Sequence, residues 1–372
     1  MTFGALVATL VMAAPASYEV SLRSEVRGSN QRQGDAQLNP VLSLRLPFGQ
    51  FSLLTSYTPR ILLFEPGIPQ TVSLLHNGRI AGELRLSKAG RLILEQLLSY
   101  GWNSFSYLML AAENVAPSFD RLATIQTPFL YFGESTTLGI EQALSSHVAL
   151  GITAGYSIGG GADSAARQIV PITHSPRASL RLAWKVGTRD YFLTEWIGYA
   201  AFYSSVQRSY VLDGSVGWRH EFSKDADFDV LVGAGGTHEI GPVLLEDRLY
   251  PYFNAGIRRR FRRGPSHALT GGWYVRVAPT IDTIAGYTYA RAETYGTLAY
   301  SPVRSVTLAS ALGGALALDS PIKGQKLGYA AVSVAYEVTH ELTLSAGVRG
   351  VAVPNFVAVG FLAITVGERG HL

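Results

Sequence analysis

Arg177-Ala178-Ser179-Leu180-Arg181-Leu182-Ala183-Trp184-Lys185-Val186 is the stretch whose reading decides the fold. Side chains of a strand alternate between two faces. Ala178, Leu180, Leu182, Trp184 and Val186 therefore share one face, and Arg177, Ser179, Arg181, Ala183 and Lys185 share the other. The first face suits hydrocarbon and the second suits water. The same pattern recurs from about residue 18 to about residue 366, with tight turns and longer loops between the strands. Strands that are apolar on one side and polar on the other, joined in that way, predict a transmembrane antiparallel up-and-down β-barrel.

Working outward, the polar face of strand one (about 18–27) carries Glu19, Ser21, Arg23, Glu25 and Arg27 opposite Tyr18, Val20, Leu22 and Val26. A polar loop, Gly28 to Asp35, follows. Ile80, Leu84 and Leu86 face out before the turn Lys88-Ala89-Gly90, and Leu92, Leu94, Leu98, Tyr100 and Trp102 face out after it. Tyr100 and Trp102 stand where an interfacial aromatic girdle belongs. Residues 107–129 and 159–176, the second opening on Gly159-Gly160-Gly161, break the alternation and read as long loops that restrict the barrel mouth. Further turns are expected at Pro47-Phe48-Gly49, Glu65-Pro66-Gly67 and Ser223-Lys224-Asp225. The count is about 18 strands, or 16 if two assignments fail, and an even number puts both ends on one side of the membrane.

Composition agrees. Charged residues make up 16% of the 372, against about 25% in ordinary soluble domains. Mean hydropathy is +0.17, yet past the N-terminus no apolar run approaches the roughly 20 residues of a spanning helix. Phe3 to Ala13 is a short apolar run, and Ala14-Pro15-Ala16 follows as a small-x-small cleavage signal. Residues 1–16 are thus expected to be an export leader and 17–372 the barrel. Met1-Thr2 lacks the usual basic n-region. Export and a barrel together imply a bacterial outer membrane, with its lipid and its assembly machinery as partners. Cysteine is absent, which excludes disulfides and thiolate metal sites. The basic cluster Arg258, Arg259, Arg260, Arg262 and Arg263 reads as a strand end at the membrane surface rather than as a nucleic-acid site.

The inner face is expected to line a water-filled lumen. Its cationic candidates are Arg23, Arg79, Arg85, Arg181, Lys185, Arg219, Arg258, Arg276, Arg291 and Arg349. Its acidic candidates are Glu25, Glu83, Glu95, Asp213, Glu221, Asp229, Glu293 and Glu337. The signs nearly balance, so cross-strand pairing is expected rather than a strong charge bias. Tyr252, Tyr287, Tyr289 and Tyr295 are candidates for stacking on sugar rings. Covalent chemistry is not expected. The eight histidines lack paired metal spacing, and neither GxSxG nor HExxH occurs. No catalytic residue, cofactor or metal is assigned. Gly233-Ala234-Gly235-Gly236 lacks the P-loop lysine and reads as room made in the wall.

Over about residues 17–367 the chain resembles bacterial outer-membrane barrels of the porin size class. Among them, the large barrels that export exopolysaccharide fit the size and the polar lumen. That resemblance implies passage of a secreted polysaccharide and a periplasmic polysaccharide-export protein as partner. General diffusion of small solutes is the alternative. The chain departs from the usual pattern at its end, where Gly367-Glu368-Arg369-Gly370-His371-Leu372 overshoots the apolar final strand. Three rivals remain: a structural or adhesive barrel plugged by 107–129, a soluble all-β protein with two packed sheets, and a barrel enzyme.

Overall fold

Thr173–Lys185 is the ninth of nineteen strand segments in the computed structural model. The structure describes residues 15–30, 34–63, 72–103, 129–204, 206–241, 247–262, 268–282, 286–319, 326–353 and 355–371. Residues 1–14 of the expected leader, the segment 107–128, Glu65-Pro66-Gly67 and Arg263 lie outside them. In chain order the strands are β1 (Ser17–Ser29), β2 (Gly34–Phe48), β3 (Phe51–Tyr57), β4 (Arg60–Leu63), β5 (Val72–Ser87), β6 (Gly90–Asn103), β7 (Phe129–Ala143), β8 (Val148–Gly161) and β9 (Thr173–Lys185). They continue as β10 (Asp190–Tyr203), β11 (Arg208–Ser223), β12 (Ala226–Ile240), β13 (Asp247–Arg262) and β14 (Ala268–Ile281). The last five are β15 (Thr288–Val303), β16 (Val306–Ala317), β17 (Lys326–Glu337), β18 (Leu342–Val353) and β19 (Asn355–His371). A short helix, α1 (Ser164–Ile169), lies between β8 and β9.

β3 and β4 are two halves of one strand. Both pair with β2 on one side and β5 on the other. The break falls at Thr58-Pro59, because proline has no N–H to give the ladder. Asn77 bridges it: its carbonyl accepts from Thr58 N (2.8 Å), and its Nδ2 donates to Thr58 O (3.2 Å). The wall is therefore an 18-stranded antiparallel barrel, closed where β1 pairs with β19 from Ser17↔His371 to Ser29↔Val359. A closed ladder rules out both the two-sheet sandwich and the 16-strand count.

Large apolar side chains cover one face. Leu22, Leu42, Leu94, Ile152, Val232, Leu312 and Val348 are among those exposed on it. Trp184, Phe192, Trp218, Phe261, Tyr300 and Tyr336 cluster toward one rim, and Tyr57, Tyr100, Tyr156 and Phe356 toward the other. This is an apolar belt between two aromatic girdles. Near the second girdle the polar tips are satisfied in place, with Tyr57 Oη 2.6 Å from His76 Nδ1 and Tyr156 Oη 2.5 Å from His174 Nδ1. At one rim the connections are short: 49–50, 88–89, 144–147, 186–189, 224–225, 263–267, 304–305 and 338–341. This turn rim also holds both ends of the barrel. The opposite, loop rim carries the connection 162–172.

Three sequence expectations need correction. In the polar stretch 28–35, residues 28, 29, 34 and 35 are strand rather than loop, because Arg27 and Asp35 face each other in the β1/β2 register and form a two-bond ion pair (2.6 and 2.7 Å), both side chains fully buried. The loop of 159–176 shrinks to 162–172. Gly159, Gly160 and Gly161 continue the ladder against β7, and a side chain on Gly161 would collide with the backbone of α1. The tail does not overshoot: β19 runs to His371, with Arg369 paired to Glu19 (2.8 Å) and Tyr18 donating to Glu368 (2.8 Å).

Candidate functional site: the barrel lumen

All eighteen charged candidates named from the sequence lie on the face opposite the apolar belt. That face is not uniform, and its two halves meet between β9 and β10.

From β10 to β15 the wall doubles back on itself. β10 and β14 are four positions apart in the sheet order, an arc of about 19 Å at the usual strand spacing. Yet Tyr199 Oη donates to Pro279 O (2.9 Å) and Tyr203 Oη to Asp282 O (2.6 Å) across the interior. Leu193, Leu231, Tyr252 and Ala278 form one buried cluster, and Ala201, Tyr203, Val211 and Ile281 form another. Polar groups in this lobe find partners within it. Glu239 Oε1 accepts from both the backbone N and the hydroxyl of Thr288, the hydroxyl at 2.5 Å, and Ser209 Oγ donates to Gly286 O. Asp213 departs furthest: it is 2% exposed, and neither carboxylate oxygen has a hydrogen-bond partner, while Thr237 Oγ1 and Glu239 Oε2 also lack one. Gly233 and Gly235 make the close approach possible. A Cβ at Gly233 would lie 1.9 Å from Gly214 O, and one at Gly235 would lie 2.0 Å from Asp213 Oδ1 and 2.7 Å from Pro279 Cγ.

Tyr252, Tyr289 and Tyr295 are almost wholly buried, so their rings are covered. A stacking role for these three does not survive. The aromatic row Tyr274, Tyr295 and Tyr329, with centroids 5.9 and 6.4 Å apart, packs against Val351, Val357 and Val359 and fills the interior beside β15–β19.

The arc β5–β9 stays open. A cavity of ≈ 670 Å³ on the loop-rim side is bounded by Ser99, Ser135, Ser157, Ser175 and Arg177 on the arc and by Tyr199, Arg276, Arg291 and Glu293 on the lobe. Val170, just past α1, also borders it. The helix is held there by Asp163, whose Oδ1 caps Ala166 N (2.7 Å), and by Ala166 and Val170 packing with Phe129. The 162–172 connection thus leans inward over the mouth. A second cavity of ≈ 640 Å³ on the turn-rim side is lined by Glu83, Arg85, Arg91, Glu141 and Arg181.

Opposite charges do pair across strands, but not evenly. Three carboxylates are each shared by two arginines. Glu25 meets Arg23 (2.6 Å) and Arg349 (3.4 Å), Asp227 meets Arg219 (2.7 Å) and Arg258 (2.8 Å), and Glu293 meets Arg291 (3.0 Å) and Arg276 (3.8 Å). The acids sit at the base of the wall, with side chains 2, 14 and 9% exposed, whereas Arg23, Arg219, Arg276 and Arg258 are 27, 33, 35 and 69% exposed; Arg349, at 3%, is buried with Glu25. A short acid under long arginines presents the cation to the lumen. Arg91 reverses the ratio by bridging Glu141 (2.7 Å) and Glu83 (3.8 Å), and Arg79 pairs with Glu95 (2.7 Å). Among the described residues no carboxylate comes within ion-pair distance of Arg45, Arg85, Arg177, Arg181, Lys185 or Arg260. The near balance read from the sequence holds by count, but the solvent-facing share is cationic because most of the acids are buried or paired.

A family model described as the EpsX exopolysaccharide export family matches residues 7–356. The chain belongs to that family. Among solved structures it is similar to OpdK of Pseudomonas aeruginosa with vanillate, at 10% identity over 95% of this chain and 99% of that one, with a TM-score of 0.50. It is also similar to the FrpB iron transporter of Neisseria meningitidis, at 10% identity over 92% of this chain and 62% of that one, TM-score 0.53. At such identities the likeness is one of fold: family and structure describe a large porin-like barrel of the outer-membrane type. A sequence search of curated proteins gives no match.

Residues the sequence reading passed over are Leu193, Tyr199, Tyr203, Tyr274 and Tyr329, all on the inner face. The signal was present in β10, Asp190–Tyr203, which is apolar on both faces. A strand buried on both sides reads as a near-continuous apolar run.

Proposed function

We propose that the chain is a bacterial outer-membrane channel through which a secreted polysaccharide leaves the cell. The observation that carries this reading is the open arc. Its two cavities lie along one wall from turn rim to loop rim and are lined by hydroxyls, arginines and glutamates alongside apolar side chains such as Leu97 and Ile197, with open space between them rather than a packed core. Such a surface replaces the hydration of a polar polymer without covalent chemistry. Membership of an exopolysaccharide export family supports this cargo over small solutes. Residues 1–16 would be the leader removed on export. The turn rim would face the periplasm, where a polysaccharide-export protein would deliver the chain.

Single-channel recording of the purified, refolded protein in a planar bilayer tests the passage. Large steady steps are expected. A folded, inserted protein that stays silent would return the plugged structural barrel to first place. Loss of secreted polysaccharide on deletion of the gene, with unchanged uptake of small sugars, tests the cargo.

A further inference from the structure

We propose that the transported glycan is anionic, and that β9 is the track that carries it. This rests on the passage reading above and narrows its cargo. β9 places a cation on the inner face at every fourth residue: Arg177, Arg181 and Lys185. Four residues of an extended strand rise about 14 Å, so the three span most of the wall. Arg177 borders the loop-side cavity and Arg181 the turn-side one. The ladder therefore joins the two cavities.

None of the three has a carboxylate within ion-pair distance among the described residues. Arg177 donates to Thr137 Oγ1 (2.9 Å). Arg181 faces Glu195 in the β9/β10 register without reaching it, and Lys185 Nζ stands 6.0 Å from the Tyr191 ring centroid. Arg45, Arg85 and Arg260 are likewise without a close carboxylate on other strands, but among the described residues β9 sets three such cations in register along one strand. Cations held in no close ion pair are open to mobile anions, although Arg181 also feels the carboxylate of Asp229 at longer range. A neutral glycan would gain nothing from them.

Spacing separates a polymer from a small solute. One small anion cannot bridge rungs about 14 Å apart, whereas a chain bearing carboxylate, phosphate or sulfate groups along its length can hand successive charges from rung to rung. Arg177 and Arg181 are exposed, and an exposed pair contributes weakly. Several weak sites in series let a polymer enter and also leave.

The test uses the full-length barrel in planar bilayers, with oligogalacturonate and malto-oligosaccharide of matched length as probes and galacturonate monomer at equal carboxylate concentration as the third arm. The variant is Arg177→Gln/Arg181→Gln/Lys185→Gln, with its folded state checked by heat-modifiable gel mobility. Wild type is expected to be anion-selective and to be blocked by oligogalacturonate at about tenfold lower concentration than by the neutral oligomer. The triple variant is expected to lose most of that difference while still conducting. Equal block by charged and neutral oligomers in a conducting channel overturns the charge inference and leaves the export reading intact. A preference that survives in the triple variant overturns the role of β9. Monomer blocking as well as oligomer overturns the polymer track in favour of small anions. A folded channel that never conducts sinks the passage reading, and this one with it.

Discussion

β9 and β10 are hydrogen-bonded neighbours with opposite interiors. β9 turns Arg177, Ser179, Arg181, Ala183 and Lys185 inward, while β10 turns in Tyr191, Leu193, Ile197, Tyr199, Ala201 and Tyr203, with Glu195 its one inward charge. The outer faces of both carry the same apolar belt, Trp184 and Leu180 on one, Phe192 and Trp196 on the other. Membrane contact therefore constrains both strands alike, and the difference arises from what lies across the interior. β10 meets β14, and the space between is filled. β9 meets a cavity. One closed wall thus contains a folded core and a wet passage, and the inner residues of each strand decide which it borders.

The comparison breaks most visibly if the lobe is emptied. Leu193 is 1% exposed and touches Leu231, Tyr252 and Ala278. Leu193→Ala removes those contacts and leaves a cavity, at a cost of about 2–5 kcal/mol. The midpoint of urea unfolding in detergent micelles should fall accordingly, and an unchanged midpoint would mean that the lobe is not packed as described. Filling it fails for the opposite reason. Gly235→Val would drive side-chain atoms into Asp213 and Pro279, and overpacking of this kind costs about 1–3 kcal/mol.

Polar groups sharpen the contrast. Glu239→Ala strips the acceptor from the buried backbone N and hydroxyl of Thr288, a loss of about 1–3 kcal/mol. Glu239→Gln keeps an acceptor and should retain most of the stability. Asp213→Asn should be neutral or stabilising, since it removes an unpartnered buried charge. On the open side, Arg79→Gln breaks a pair that is 48 and 35% exposed and should shift the same midpoint by less than about 1 kcal/mol. If the arc variant proved as damaging as the lobe variants, the division into core and passage would be wrong.

Much of this architecture was legible in the residues. Period-2 alternation placed nearly every strand within a few positions, because a slip of one residue would carry charges such as Arg181 into hydrocarbon. The face of each charged candidate followed from the same parity. Pairing across the interior did not. Nothing in the local pattern of Tyr199 announces Pro279, eighty positions away, and only the doubly apolar make-up of β10 and the glycines of β12 hint that the wall closes on itself. The electrostatic reading missed for a related reason: a count of signs does not reveal that Glu25 and Glu293 lie beneath their arginines.

The smallest expected effect concerns the ladder, and salt rather than mutation reveals it. Screening lengths are about 30 Å at 0.01 M and about 3 Å at 1 M ionic strength. At the lower value each rung of β9, about 14 Å from the next, has a field that still overlaps its neighbours across the cavity. At the higher value each acts alone. Anion selectivity from reversal potentials should therefore decline steadily as salt rises, while conductance continues to grow with ion concentration. The buried charges of the lobe, Asp213 and Glu239, add nothing to this dependence, because they are out of contact with electrolyte. Leu193→Ala protein that still inserts should then keep the wild-type selectivity curve unless emptying the lobe opens a second path. A flatter curve in that variant would show that the two regions communicate through the wall between β9 and β10.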